Sequence, residues 1–296
     1  MKKDLISIRD LTKAEVSELF SLASSLKAKR KTHDRPLTNR TLGLIFEKPS
    51  NRTRVSFEVG MIELGGHTIY LGAAEVKLGK REAVKDAAKV LSRYLDGIVV
   101  RTFSHNRLLE IKEHSSVPVI NGLTDLLHPC QALSDLFTIK EKKGLKGITL
   151  AFIGDGNNVA NSLLYGCSKM DIKINLACPK GYEPDKKILK EAGNVAELFN
   201  SAEDAVETAD IVYTDVWTSM GKEEEHKKRL EIFKNFQVNS RLLGLAKKDA
   251  VVMHCMPAHR REEITDEVLD GRQSIVVDQA ENRLHLQKAI LLKLLK

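Results

Sequence analysis

Short apolar runs alternate with stretches of helical spacing along the chain, the pattern of strands and helices that follow one another. The runs TLGLIF (41–46), GIVVR (97–101), PVIN (118–121), ITLAFIG (148–154), KINLAC (173–178), IVYTDV (211–216), AVVMHC (250–255) and SIVVDQ (274–279) predict strands. Between them, residues 12–30, 53–64, 81–95, 129–141, 158–169 and 184–192 predict helices. This is an α/β protein with mainly parallel sheets. The polar cluster KEKKGLKG (140–147), with two glycines before a fresh strand, is the expected hinge between two domains. In the tail, Leu286, Ile290 and Leu294 recur at four-residue spacing with lysines interleaved, which reads as a helix packed on the core in preference to one lying on a membrane.

Composition narrows the classes. The 296 residues are 42% hydrophobic and 29% charged, near the globular average, which argues against a disordered or collagen-like chain. Asp4, Arg9 and Asp10 interrupt the first apolar residues, and no run approaches the roughly 20 needed to span a bilayer, so the expected location is the cytoplasm. Four scattered cysteines without a C-x-x-C pair suit reduced thiols better than a zinc ribbon or a disulfide framework. The net charge of +7 is spread through the chain, and with 5% aromatic residues it suits anionic metabolites better than nucleic acid.

The richest chemistry follows the first strand, in EKPSNRTRVSFE (47–58). Val55, Val59 and Ile62 recur at helical spacing and Gly65-Gly66 supplies a stop, so a helix is expected to begin at PSNRT. A helix start offers backbone N–H groups and the positive end of the macrodipole, and Arg52 adds a fork matched to phosphate oxygens. The competing reading makes Ser50 only a cap and the arginines solvated. Arg52 and Arg54, two positions apart, point in different directions, so Arg54 is expected to act elsewhere.

Other candidates lie at later strand ends. In HPCQALSD (128–135), Pro129 suits the first position of a helix, and His128 and Gln131 project from that end, where they could serve an oxyanion. Arg101 closes a strand at its carboxyl end, the usual ligand side of such sheets, with a surface salt bridge as the alternative. The turn GDGNN (154–158) lacks the third glycine of a dinucleotide fingerprint, and the next strand ends in Cys178-Pro179 without an acidic residue for a ribose. It presents Asn157 and Asn158 instead. YTDVWTSMG (213–221) carries Asp215, able to pair with a substrate ammonium, and MHCMPAHRREE (253–263) carries Cys255. That thiol reads as polar and orienting. A nucleophilic cysteine, or a metal held by His254, Cys255 and His259, is the weaker reading, because neighbours on a strand face opposite ways.

Taken together, SNRTRVSFEVGMIELGGH, HPCQALSD, GDGNNVANS, DVWTSMG and HCMPAHR resemble the aspartate/ornithine carbamoyltransferase family, on the side of its ornithine-using members. The match runs in order from near residue 40 to AENRLH (280–285). The resemblance implies two doubly wound α/β domains joined by long helices: residues 1–140 for carbamoyl phosphate, with the helix 283–296 packing back on them, and residues 147–282 for ornithine. It implies transfer of a carbamoyl group to the δ-amine of ornithine in arginine metabolism, no metal or organic cofactor, and a homotrimer or a multiple of it with sites at subunit boundaries.

Carried over residue by residue, the resemblance gives Ser50, Asn51, Arg52 and Thr53 to the phosphate, and Arg101, His128 and Gln131 to the carbamoyl group. Arg283 closes on that side, and Cys255 and Met256 line the reaction centre. Asn158, Asp215, Ser219 and Met220 are given to ornithine, with Arg101, His128, Cys255 and Asp215 as the catalytic set. Three positions depart from the family's pattern. Asn51 stands where Thr is usual, and Arg261 where Gly is frequent. Lys77 stands where ornithine enzymes usually carry Gln in a loop reaching a neighbour's site, and a lysine there is more like the aspartate enzymes. Asp215 outweighs it, because a carboxylate there repels the side chain of an aspartate acceptor.

Overall fold

A computed structural model describes residues 3–30, 34–76, 79, 82–218 and 223–296. The chain forms two compact units, Met1–Phe137 with Glu281–Lys296, and Thr138–Ala280. The first runs α1 (Lys13–Ala28), β1 (Thr41–Phe46), α2 (Asn51–Glu63), β2 (His67–Gly72), α3 (Ala73–Val76), α4 (Val84–Leu91), β3 (Gly97–Arg101), α5 (His105–His114), β4 (Val119–Leu123) and α6 (Pro129–Lys143). The second runs β5 (Thr149–Ile153), α7 (Asn158–Met170), β6 (Lys173–Ala177), α8 (Lys186–Ala192), β7 (Ala196–Phe199), α9 (Ala202–Val206), β8 (Ile211–Thr214), α10 (His226–Phe233), α11 (Ser240–Leu243), β9 (Val251–His254) and α12 (Asp266–Leu269). The last helix is α13 (Val276–Leu295). Both unit boundaries fall inside helices, α6 and α13, so the first lies upstream of the glycine-containing cluster read as a hinge.

Each unit has one fully parallel sheet. The strand order is β2-β1-β3-β4 in the first and β7-β6-β5-β8-β9 in the second. Parallel strands buried on both faces read as continuous apolar runs, which is why β1, β3 and β5 stand out in the sequence. The edge strands β2 and β7 are partly exposed and carry no such run, so they escaped the reading, as did the polar helix α5. In a doubly wound sheet the crevice for a ligand opens at the carboxyl ends of the strands where the winding reverses. That point lies between β1 and β3 in the first sheet and between β5 and β8 in the second.

Two expectations fail. SIVVDQ is not a strand: Ser274 makes a single bridge to Val252, and α13 begins at Val276. Its β-branched run is overridden by its position at the head of a twenty-residue helix that buries every residue from 282 to 291. The helix α2 exists, but its expected apolar face does not point inward. Thr53, Phe57, Gly60 and Met61 are buried, whereas Val55 and Ile62 are 53% and 66% exposed. Among the described residues no helix is long and apolar enough to cross a membrane.

The final helix is fixed to the first unit by charge as well as by packing. Lys288, fully buried, donates to Glu63 Oε2 at 2.6 Å, and Arg30 reaches Glu63 Oε1 at 3.1 Å. Lys27 Nζ donates to Asn282 Oδ1 at 2.8 Å. A buried pair of this kind adds little net stability over apolar packing, but removing one partner costs about 3–5 kcal/mol. Its effect is to hold α13 in one register, and α13 carries Arg283.

Candidate active site

In the first unit the chain leaves β1 and turns at once into α2. Ser50 is the cap, with its hydroxyl oxygen accepting the Thr53 N–H at 3.2 Å. Such a cap is worth about 1 kcal/mol and uses only an acceptor lone pair, so the Ser50 hydroxyl proton remains available to an anion. Capping and ligand binding are therefore compatible. Asn51 is exposed at the first helical position and Arg52 is half-buried. Arg54 turns away, donating to Glu58 Oε1 at 2.9 Å and lying 3.8 Å from the centroid of the Tyr70 ring.

Behind this helix start lies a buried polar cluster. Arg283 sends Nη2 to Thr53 Oγ1 and Nη1 to Gln131 Oε1, both at 2.7 Å, and Gln131 Nε2 donates to Asp135 Oδ1 at 2.8 Å. Arg101, at the end of β3 and paired in register with Phe46 of β1, is buried, which removes the surface salt bridge reading. His128, just before Pro129, is buried too, and its carbonyl accepts the Ala132 N–H at 3.2 Å. Burial, then the charges of Arg283 and Arg101, hold its pKa well below the usual imidazole value. The imidazole is neutral at pH 7 and can donate a hydrogen bond without adding charge.

The second unit repeats this geometry with the opposite sign. At the end of β5, Asn157 caps α7 by accepting from the N–H groups of Val159 and Ala160, while its Nδ2 donates to Asp215 Oδ2 at 2.6 Å. Asp215 Oδ1 accepts from the Cys255 thiol at 2.9 Å and from the Val216 N–H at 2.8 Å. These three donors are neutral, and Asp215 is buried. Asn158 occupies the first position of α7, half-buried. The glycines of GDGNN have a local reason: a Cβ on Gly156 would sit 2.2 Å from the Pro184 nitrogen, so the turn needs glycine there whether or not it meets a nucleotide.

The stretch after β9 is held by a buried pair that the sequence did not announce. His254 Nδ1 accepts the Met256 N–H at 2.8 Å, and Nε2 donates to Glu263 Oε1 at 2.9 Å. Met256 adopts a φ of +58°, a left-handed conformation that costs about 1–2 kcal/mol without glycine, and it packs half-buried on the core of the second unit. Donor atoms of Asp215, His254 and Cys255 lie within 4.8 Å of one another, but both ring nitrogens of His254 are already engaged. Arg261 also takes a positive φ, +72°, and its N–H donates to the Ile264 carbonyl at 2.8 Å.

Of the residues singled out from the sequence, Ser50, Thr53, Gln131 and Arg283 are joined by hydrogen bonds, with Arg101 close enough to act with Arg283 on His128. Asp215 and Cys255 are joined in the second unit. Lys77, Ser219 and Met220 lie outside the described residues. The sequence reading left Asn157 out of the acceptor set and missed the buried pairs of His254 with Glu263 and of Arg229 with Asp155. Asn157 had a signal in GDGNN, whereas Arg229 lies in a lysine-rich helix with none.

The family models decide the relationship. Residues 3–141 match the carbamoyl-P binding domain of aspartate/ornithine carbamoyltransferase, and residues 146–294 match its Asp/Orn binding domain. The chain belongs to the aspartate/ornithine carbamoyltransferase family. Among carbamoyltransferase relatives, the ornithine carbamoyltransferase of Syntrophus aciditrophicus is 52% identical over 301 residues, covering 98% of this chain and 99% of the relative. That of Methanosarcina acetivorans is 50% identical over the whole of both. The solved ornithine carbamoyltransferase of Pyrococcus furiosus is 48% identical, with a TM-score of 0.95 over 99% of this chain and 96% of that one.

A neutral buried His128 has a thermodynamic signature. Below about pH 6.5 the unfolded chain binds a proton at this position that the folded chain refuses, so stability rises with pH and is lost on acidification. His128→Asn is expected to remove up to about 1.4 kcal/mol per pH unit of that acid slope. Urea unfolding between pH 7 and pH 5 measures it, and equal slopes in wild type and variant contradict the assignment.

Proposed function

We propose that this enzyme transfers the carbamoyl group of carbamoyl phosphate to the δ-amine of L-ornithine, giving L-citrulline and phosphate, a step of arginine metabolism. The observation that carries the choice of acceptor is the buried Asp215 carboxylate, to which Asn157, Cys255 and Val216, all neutral, donate among the described residues. An anion so placed gains by pairing with an ammonium of ornithine and repels the side chain of aspartate. Relatives about 50% identical over their full length bear the ornithine name.

The residue roles follow from charge. Ser50, Asn51, Arg52 and Thr53 take the phosphate at the start of α2, where N–H groups and the helix dipole favour an anion. The carbamoyl oxygen gains negative charge as the neutral δ-amine attacks the carbonyl carbon, and Thr53, Arg101 and neutral His128 donate to it. Gln131 and Arg283 brace these donors, and Cys255 and Met256 line the reacting centre. As the C–O bond to phosphate breaks, the departing phosphate takes the amine's proton and leaves as the hydrogen phosphate dianion. Asn158 stands at the start of α7, where the α-carboxylate of ornithine is favoured. Holding both substrates together supplies much of the acceleration, since effective molarities reach about 10⁵ M.

We further propose that the enzyme is a homo-oligomer, a trimer by family likeness. Val55 and Ile62 on α2 and Ile69 on the edge strand β2 are exposed apolar side chains, and a second copy of the chain is the covering we assign to them. Ile62→Lys should lower the mass measured by light scattering, and an unshifted mass contradicts this interface.

Acceptor choice is tested with carbamoyl phosphate as donor and ornithine or aspartate as acceptor. Citrulline should form and carbamoylaspartate should not. Asp215→Asn should cut kcat/KM for ornithine by about 30- to 1,000-fold, equivalent to ~2–4 kcal/mol for a lost charge pair. Ready carbamoylation of aspartate by a protein inert toward ornithine would overturn the reading.

A further inference from the structure

Two turns frame Asp215, and one side chain holds both. Arg229, buried on α10, sends Nη1 to Asp155 Oδ2 at 3.0 Å and to the Trp217 carbonyl oxygen at 2.6 Å, and Nε to Glu225 Oε2 at 3.0 Å. Its guanidinium carbon lies 4.8 Å from the Tyr182 ring centroid and 5.7 Å from that of Phe233. Asp155 stands two residues before Asn157, and Trp217 stands two residues after Asp215. Because Asn157 donates to Asp215 at 2.6 Å, the contacts close a ring from Arg229 through Asp155 and Asn157 to Asp215, and through Trp217 back to Arg229.

A buried ion pair is a poor source of net stability, and apolar side chains of the same volume fill such a space as well or better. What a guanidinium adds is a rigid planar fork that satisfies acceptors on separate segments in fixed directions, which a lysine ammonium does not do. Here the acceptors are the two turns whose spacing sets the aim of the Asp215 carboxylate.

We propose that Arg229 is a positioning residue for the amine acceptor: it fixes the orientation of the Asn157–Asp215 pair and thereby the affinity for ornithine, without touching the substrate. The inference rests on the carbamoyl transfer reading given above. The residues assigned above to the phosphate, Ser50 to Thr53, belong to the other unit.

The test is steady-state kinetics of Arg229→Lys and Asp155→Asn, with each substrate varied in turn at saturating partner. Ornithine KM should rise about tenfold or more in Arg229→Lys and about threefold or more in Asp155→Asn, while carbamoyl phosphate KM stays within about twofold. A purely structural arginine predicts a lower melting temperature and a smaller active fraction with both KM values unchanged, and that result overturns the proposal. Should Arg229→Lys fail to fold, the nearly isosteric Asp155→Asn carries the same decision. A wild-type protein that makes no citrulline sinks the functional reading instead, and an active wild type whose variants keep their ornithine KM sinks only the clamp.

Discussion

The first unit depends on how a buried guanidinium is satisfied. Arg283 bonds Thr53, 230 positions away, and Gln131, 152 positions away, so three distant segments meet at one planar fork. A buried arginine cannot shed its proton and must be met by acceptors. Those acceptors are a hydroxyl at the start of α2 and an amide in the first turn of α6. Burial, and after it the charges of Arg283 and Arg101, keep His128 neutral. The cluster thus keeps surplus positive character and a row of oriented donors, the condition under which a phosphoryl group binds and a developing oxyanion is stabilised.

The second unit answers with a carboxylate on an equivalent frame. Both sheets reverse their winding beside the strand that starts the unit, and both place their polar residues beyond the carboxyl ends there. What differs is the side chain that each turn delivers. Asp215 accepts from an amide, a thiol and a backbone N–H, and strained backbone at Met256 is held by the His254–Glu263 pair beneath it. What distinguishes such sites on a fold shared by many proteins is the set of side chains delivered at each switch point.

Much of this was legible in the sequence, for physical reasons. Buried parallel strands announce themselves as apolar runs, and β1, β3, β5, β6, β8 and β9 were all found that way. Motifs such as PSNRT and HPCQ place polar residues at helix starts, where chemistry and capping use the same residue types. What misled was apolar character whose destination one chain cannot declare. Val55 and Ile62 have core spacing but face solvent, and the valines after Ser274 open a helix despite their strand propensity. Arg229 was illegible for the opposite reason, since a charged residue among lysines in α10 gives no sign of burial. Lys77, the departure most relevant to acceptor type, lies outside the described residues together with Ser219 and Met220.

We propose that the Arg283 fork shared between Thr53 and Gln131 builds the anion site. Calorimetric titration of inorganic phosphate, the leaving group, into wild type and Arg283→Lys tests it directly. A lysine keeps the charge but cannot bridge both acceptors, so phosphate affinity should weaken by about tenfold or more in a variant that remains folded. Equal phosphate affinity in the two proteins would contradict it.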